Sequence, residues 1–203
     1  MSKIAFIPNA SGSGVFTVAS PNTDSNYTLT LPESTSTVLT DGSQNLTSAF
    51  RLTSDLVPSS AQTQETLTAW ATVETGTSGT RGQGSKGAGV SQSSGVFTFA
   101  NTGYYLITYH LLMATNTVTY AGGLIYATVN NSAYNALVEG YSSTTSTTGT
   151  YYKNTCMSVV FDVTDTANRK IKFNILASHT NVTFHGHADM SKTYVIFQRV
   201  GDT

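Results

Sequence analysis

Charge is scarce in this sequence. Only 10% of its 203 residues are Asp, Glu, Lys or Arg, and the formal net charge is −1. A nucleic acid or an anionic bilayer would call for a basic surface, so neither is an expected partner. Cysteine is limited to Cys156, which excludes an intrachain disulfide and any multi-cysteine metal site; in "NTCMSVVF" it reads as a small buried hydrophobe. No apolar run approaches the ~20 residues of a membrane-spanning helix, so no membrane insertion is expected. "IAFIP" near the N-terminus is too short for a signal-peptide core, and no secretory targeting is inferred.

What fills the chain instead is hydroxyl. It has 35 Thr and 24 Ser, with 17 Gly and 11 Tyr, a palette for strands and turns rather than helices. With so few charges to guard sheet edges, self-association is expected.

Residues 1–19 hold two short apolar runs, "IAFI" and "GVFTV", around the flexible "PNASGSG". In residues 20–43, "YTLTLP" and "STVLT" alternate apolar with polar before a "DG" turn. Strands this short bury too little apolar area to fold alone. They suit an arm that intertwines with other chains or docks on another protein; an extra edge hairpin on the main domain is the alternative. The attachment residues would be Ile4, Phe6, Phe16, Tyr27, Leu29, Leu31, Val38 and Leu39. Through Asn26, Thr28, Leu29, Thr30, Leu31, Pro32, Val38, Leu39 and Thr40 the segment resembles a short repeat of phage tail fibres and other virion appendages. It departs from that repeat at Thr37, where glycine is usual. Residues 44–66 read as a linker or short helical turn, which sets an arm at 1–60 and a head at 61–203.

The head is organised around "GVFTFANTGYYLITYHLLM", Gly95–Met113, which reads as a hairpin turning at "ANTG". Its second strand is apolar on both faces. Tyr105, Ile107, Tyr109, Leu111 and Met113 lie on one face; Tyr104, Leu106 and Leu112 lie on the other beside Thr108 and His110. A strand with one wet face should not look like this. Either a second sheet of the same chain or a second subunit must cover the extra apolar face. "LIYATV", an Asn130-Asn131 turn and "AYNALVEG" form another hairpin. The segment from Tyr151 to Leu176 reads as a further one, bent at "TDTAN". The glycine-rich loop at 76–89 lacks the phosphate-cradle spacing and reads as solvated.

These strands resemble the jelly rolls of the complement first-component globular head and the tumour-necrosis-factor superfamily. The resemblance rests on Phe97, Phe99, Gly103, Tyr105, Leu106, Tyr109 and His110, then Leu124, Tyr126, Val129 and Asn130. It continues through Asp165, Ile171, Phe173 and Ile175 to Phe184 and Gly186, with a closing strand at 194–200. It implies an all-β, antiparallel jelly-roll sandwich with an extended β-rich N-terminal arm. It also implies a homotrimer packed through inner strands, with Tyr104, Tyr105, Leu106, Ile107, Tyr109 and Leu111 at the interface.

No histidine or acid falls in a catalytic motif, so an enzyme is not expected, and a polysaccharide depolymerase is the version of that idea worth keeping. His185, His187 and Asp189 at i, i+2 and i+4 would share one face of a regular strand. Phage spikes can carry such His-x-His pairs on a three-fold axis around a transition metal, a role neutral imidazole suits; a solvated polar face is the plainer reading, with no cofactor at all.

Together these features point to a non-enzymatic phage structural protein on the virion surface. As a capsid decoration (cement) protein it would hold the major capsid protein. As a tail-fibre or tail-tip protein it would dock to tail proteins and bind a host surface receptor. With about 60 residues left for shaft and anchor, the capsid role is expected. A cell-surface adhesin or lectin is the remaining alternative.

Overall fold

The structure, a computed structural model, describes residues 47–74, 84, 89–144 and 149–203. Among these residues there is no helix. In chain order the strands are β1 (Thr47–Leu52), β2 (Glu65–Thr66), β3 (Trp70–Thr72), β4 (Val90–Ser93), β5 (Val96–Phe99), β6 (Gly103–Thr115), β7 (Val118–Thr128), β8 (Asn135–Thr144), β9 (Tyr151–Val163), β10 (Lys170–Ala177), β11 (Val182–Phe184) and β12 (Tyr194–Gly201).

They form two antiparallel sheets. In the first the order is β9-β6-β12-β1-β3, and β11 pairs with the far end of β6 beside β12. In the second the order is β4-β5-β10-β7-β8, with β2 on the flank of β10. This is the expected jelly-roll sandwich. Most connections between the long strands cross from one sheet to the other, as its topology requires.

Two expected hairpins are therefore not hairpins. Strands β5 and β6 lie in opposite sheets, and "ANTG" carries the chain between them; β5 pairs with β4 and β10. The tight turn is one step earlier, where Ser94 (φ 50°) and Gly95 (φ 79°) join β4 to β5. Two successive positive φ values match the twist of a two-residue hairpin, and glycine adopts one without strain. Likewise β9 and β10 belong to different sheets, and "TDTAN" spans them. The Asp165 carboxylate holds that bend by accepting from the Ala167 and Asn168 amides and the Asn168 side chain. Those bonds set its pKa below the usual carboxylate value. Sequence alternation cannot distinguish a hairpin from such an arch, because both read as strand, turn, strand. The β7–β8 hairpin is as expected, with Asn131 at φ 56° in its turn.

Within the segment expected to be a linker, 44–66, residues 47–52 form strand β1 and residues 65–66 form β2. The inward residues of β1, Phe50 and Leu52, are 3% and 1% exposed, and the strand pairs with β12 and β3. Residues 47–52 thus belong to the head's sheet rather than to the arm. The inward period of two (Ser48, Phe50, Leu52) was obscured by buried Arg51 between them. Arg51 donates from Nη1 to the Thr72 carbonyl (2.9 Å) and from Nε to the Ala188 carbonyl (2.7 Å), and Nη2 also reaches Ala188.

The core is aromatic. Phe97 of β5 is its hub, with ring centroids 5.1 Å from Phe50, 5.1 Å from Phe173, 5.2 Å from Phe197 and 5.8 Å from Trp70. Each such pair adds ~0.5–1.5 kcal/mol beyond simple burial, so this cluster ties the two sheets together.

Candidate self-association face

Strand β6 decides what the sandwich leaves uncovered. Its odd-numbered residues point inward: Tyr105 is 1% exposed, and Ile107, Tyr109, Leu111 and Met113 are 0% exposed. The second sheet of the same chain covers them. This corrects the expected interface: Tyr105, Ile107, Tyr109 and Leu111 fill the core of one chain and are not available to a partner. Tyr104 and Leu106, the other two residues of that set, do face outward, and Tyr104 is 42% exposed.

Their neighbours extend the outer face. The register places Leu106 opposite Val160 of β9 and Gln198 of β12, Thr108 opposite Ser158 and Ile196, and His110 opposite Cys156 and Tyr194. Val160 is 58% exposed, and Tyr152 further along β9 is 70% exposed. Cys156 is exposed on this face, against the expectation of burial. The His110 ring stacks on Tyr194 (centroids 4.8 Å apart, 16° between planes) and its Nδ1 lies 3.2 Å from the Lys192 carbonyl. Thr108 and Ser158 hydroxyls lie 3.0 Å apart.

The outcome is a sheet face carrying Tyr104, Leu106, Val160 and Ile196 with polar groups between them, among them one acid, Asp162, opposite Tyr104. Among the described residues, strand β9 is the edge of its sheet and pairs only with β6. Such an edge invites association unless it is covered. The Ser142 hydroxyl of β8 donates to the Asn154 carbonyl at 3.3 Å and engages part of it. Val160, Ile196 and Tyr152 were not singled out from the sequence. The signal was there, in apolar residues on the even positions of β6, β9 and β12 that a wet face would fill with polar ones.

The histidine pair follows β11 at the end of this sheet, where His185 meets Tyr152. β11 ends at Phe184, so His185 and His187 do not share a regular strand. His185 Nδ1 is 3.1 Å from Asp55 Oδ2, its ring stacks 5.7 Å from Tyr152, and its Nε2 is buried without a hydrogen-bond partner. His187 Nδ1 accepts from the Asp189 and Met190 amides at 2.9 and 3.1 Å. Among the described residues no three His, Cys, Asp or Glu side chains gather to hold a metal within one chain. The expected arm residues Ile4, Phe6, Phe16, Tyr27, Leu29, Leu31, Val38 and Leu39 lie outside the described residues.

No protein-family model matches the chain, and no curated protein sequence does. Solved structures do match its fold. Two crystal structures of murine APRIL, at pH 8.5 and pH 5.0, superpose with a TM-score of 0.55 at 13% identity, covering 77% of this chain and 100% of APRIL. A third, at pH 8.0, gives 0.52 at 15% identity, covering 76% and 99%. The head therefore shares a jelly-roll fold with murine APRIL. At this identity the likeness is one of fold.

Proposed function

We propose that the protein is a non-enzymatic structural protein that works as a homotrimer, and that it decorates the surface of a phage capsid. The observation that carries self-association is the outer face around Leu106 and Val160, where apolar groups lie uncovered although each chain already fills its own core. Three copies packed on a three-fold axis would bury that face, as the jelly-roll resemblance implies.

The virion role rests on residues 20–43 and their likeness to appendage repeats, with the arm holding neighbouring shell subunits and the head projecting outward. A surface low in charge and rich in hydroxyls tolerates many copies side by side, and many weak contacts suffice for a clamp. The same repeat favours one second reading, a tail-fibre protein that binds a host receptor. Copy number separates the two. On a stained gel of purified particles, a decoration protein approaches the major capsid protein in abundance, at hundreds per particle. A few tens of copies would make it a tail protein, and absence from particles would defeat both readings.

A further inference from the structure

On the opposite side of the sandwich, the outer face of the second sheet carries a cleft of about 560 Å³. Its floor is laid by register. Ser91, Thr98 and Lys170 form one row across β4, β5 and β10; Ser93, Val96 and Lys172 form the next. The inward residues of β10 that alternate with the lysines, Ile171 and Phe173, are 0% exposed, so both lysines rise from the outer side. One wall is the β7–β8 turn. It is held in place by the Asn130 side chain, which accepts from the Ser132 and Ala133 amides, and by the Asn131 amide, which donates to the Asn168 carbonyl. Tyr134 closes that wall, with Lys172 Nζ 4.0 Å from its ring centroid.

In a chain with only ten Lys and Arg, two lysines stand two residues apart on one strand face, about 7 Å between Cα atoms. Among the described residues neither makes an ion pair. Like charges so placed repel, and a bound anion would relieve them. Around them stand Ser93, the Ser91 and Thr98 hydroxyls, which share one hydrogen bond at 2.9 Å and keep further donor and acceptor capacity toward the cleft, and a part-apolar floor and wall (Val96, Tyr134). A simple inorganic anion could accept from the hydroxyls but has no use for the apolar part. A sugar ring with a carboxylate uses all three: its acid meets the lysines, its hydroxyls the serines and threonine, and its C–H face Val96 and the Tyr134 edge.

We infer that this cleft is a binding site for an acidic saccharide, a uronic- or sialic-acid unit of a surface glycan. The volume lies within the range of small-ligand sites. The inference does not depend on trimerisation or on a virion, because the cleft and the self-association face are on opposite sheets.

Calorimetry on the full chain tests it with three probes: trigalacturonate, its neutral methyl ester, and a sialic-acid-terminated trisaccharide. At least one acidic probe should bind ten-fold or more tightly than the neutral ester. The double substitution Lys170→Gln with Lys172→Gln should weaken it at least ten-fold and leave the thermal melt unchanged. Ser93→Ala, which keeps both charges, should weaken it by a few fold. The proposal is overturned if neither acidic probe exceeds the ester, or if the double variant binds as well as the parent. Displacement of the saccharide by an equal concentration of inorganic phosphate would also overturn it, reducing the cleft to a simple anion patch.

Discussion

The Tyr109 ring occupies the space a side chain at residue 123 would need. A Cβ built on Gly123 of β7 would lie 2.6 Å from Tyr109 Cε1 and 3.2 Å from both Tyr109 Cζ and Leu111 Cδ2. Tyr109 is fully buried, between Phe173 (5.0 Å) and Trp70 (6.5 Å), so it has no room to retreat. Gly123→Ala should therefore destabilise the head by about 1–3 kcal/mol, the usual cost of overpacking. Tyr109→Phe would not relieve this clash, since phenylalanine keeps the same ring atoms. It does remove a hydroxyl that is buried without a partner and whose pKa burial pushes well above the usual value. Leaving such a group unsatisfied costs ~1–3 kcal/mol, so Tyr109→Phe should raise the melting temperature by a few degrees. A lower melting temperature for Tyr109→Phe would show that the hydroxyl has a partner after all.

The two faces of β6 give a paired test of self-association. Tyr105 is 1% exposed and lies 4.6 Å from Phe99, whereas Leu106 faces outward opposite Val160. Tyr105→Asp buries an unpaired charge in the core at a cost of several kcal/mol, and should unfold the chain. Leu106→Asp should leave the fold intact and separate the subunits. Light scattering should find about 64.5 kDa (three times 21.5) for the parent and 21.5 kDa for Leu106→Asp. A parent that stays monomeric, or a Leu106→Asp protein that stays trimeric, would remove the assigned face.

The sandwich was legible in the sequence because inward alternation is strong in β5, β6 and β10, where Phe97, Phe99, Ile171, Phe173 and Ile175 recur at every second position. Pairing was not legible. Whether a turn closes a hairpin or crosses between sheets depends on which partner waits at the far end, and local residues do not record that. β1 escaped notice for a different reason. Arg51, normally a surface residue, is 2% exposed because backbone carbonyls of Thr72 and Ala188 receive its guanidinium, and those carbonyls come from distant segments. The candidate face was half legible: Tyr104 and Leu106 stood out, but a doubly apolar strand cannot say which of its faces the chain itself will cover.

The place of β1 predicts where the chain can be cut. Among the described residues β3 has β1 as its only strand partner, and Phe50 of β1 packs on Phe97 at the hub of the core. Removing residues 1–60 would strip out Phe50 and Leu52, worth ~1.5–3 kcal/mol each by burial, and bare one edge of β12. Against a total stability of ~5–15 kcal/mol that is a large fraction. A chain starting at residue 61 should melt far lower or aggregate, while one starting at residue 45 should fold and still self-associate. Equal melting temperatures for the two truncations would mean β1 contributes little.

Whether the histidines hold a metal follows from what their ring nitrogens already do. His187 Nδ1 accepts two backbone amides, so in the neutral ring the proton sits on Nε2 and no lone pair is free there. Binding a metal would require the other tautomer and the loss of both amide bonds. His185 has the opposite arrangement. Its Nδ1 faces Asp55, as in carboxylate–histidine–metal groupings, and this directs the Nε2 lone pair away from the carboxylate. That Nε2 is buried by its own chain, whereas a metal on a three-fold axis would need three such atoms to meet in the open. Between them His185 and His187 thus offer one lone pair per chain, and it is enclosed. Purified protein should therefore carry no stoichiometric transition metal by elemental analysis, and a chelator should leave the melting temperature unchanged. About one metal ion per trimer, with a lower melting temperature after chelation, would mean that assembly rotates both rings from the positions seen in the single chain.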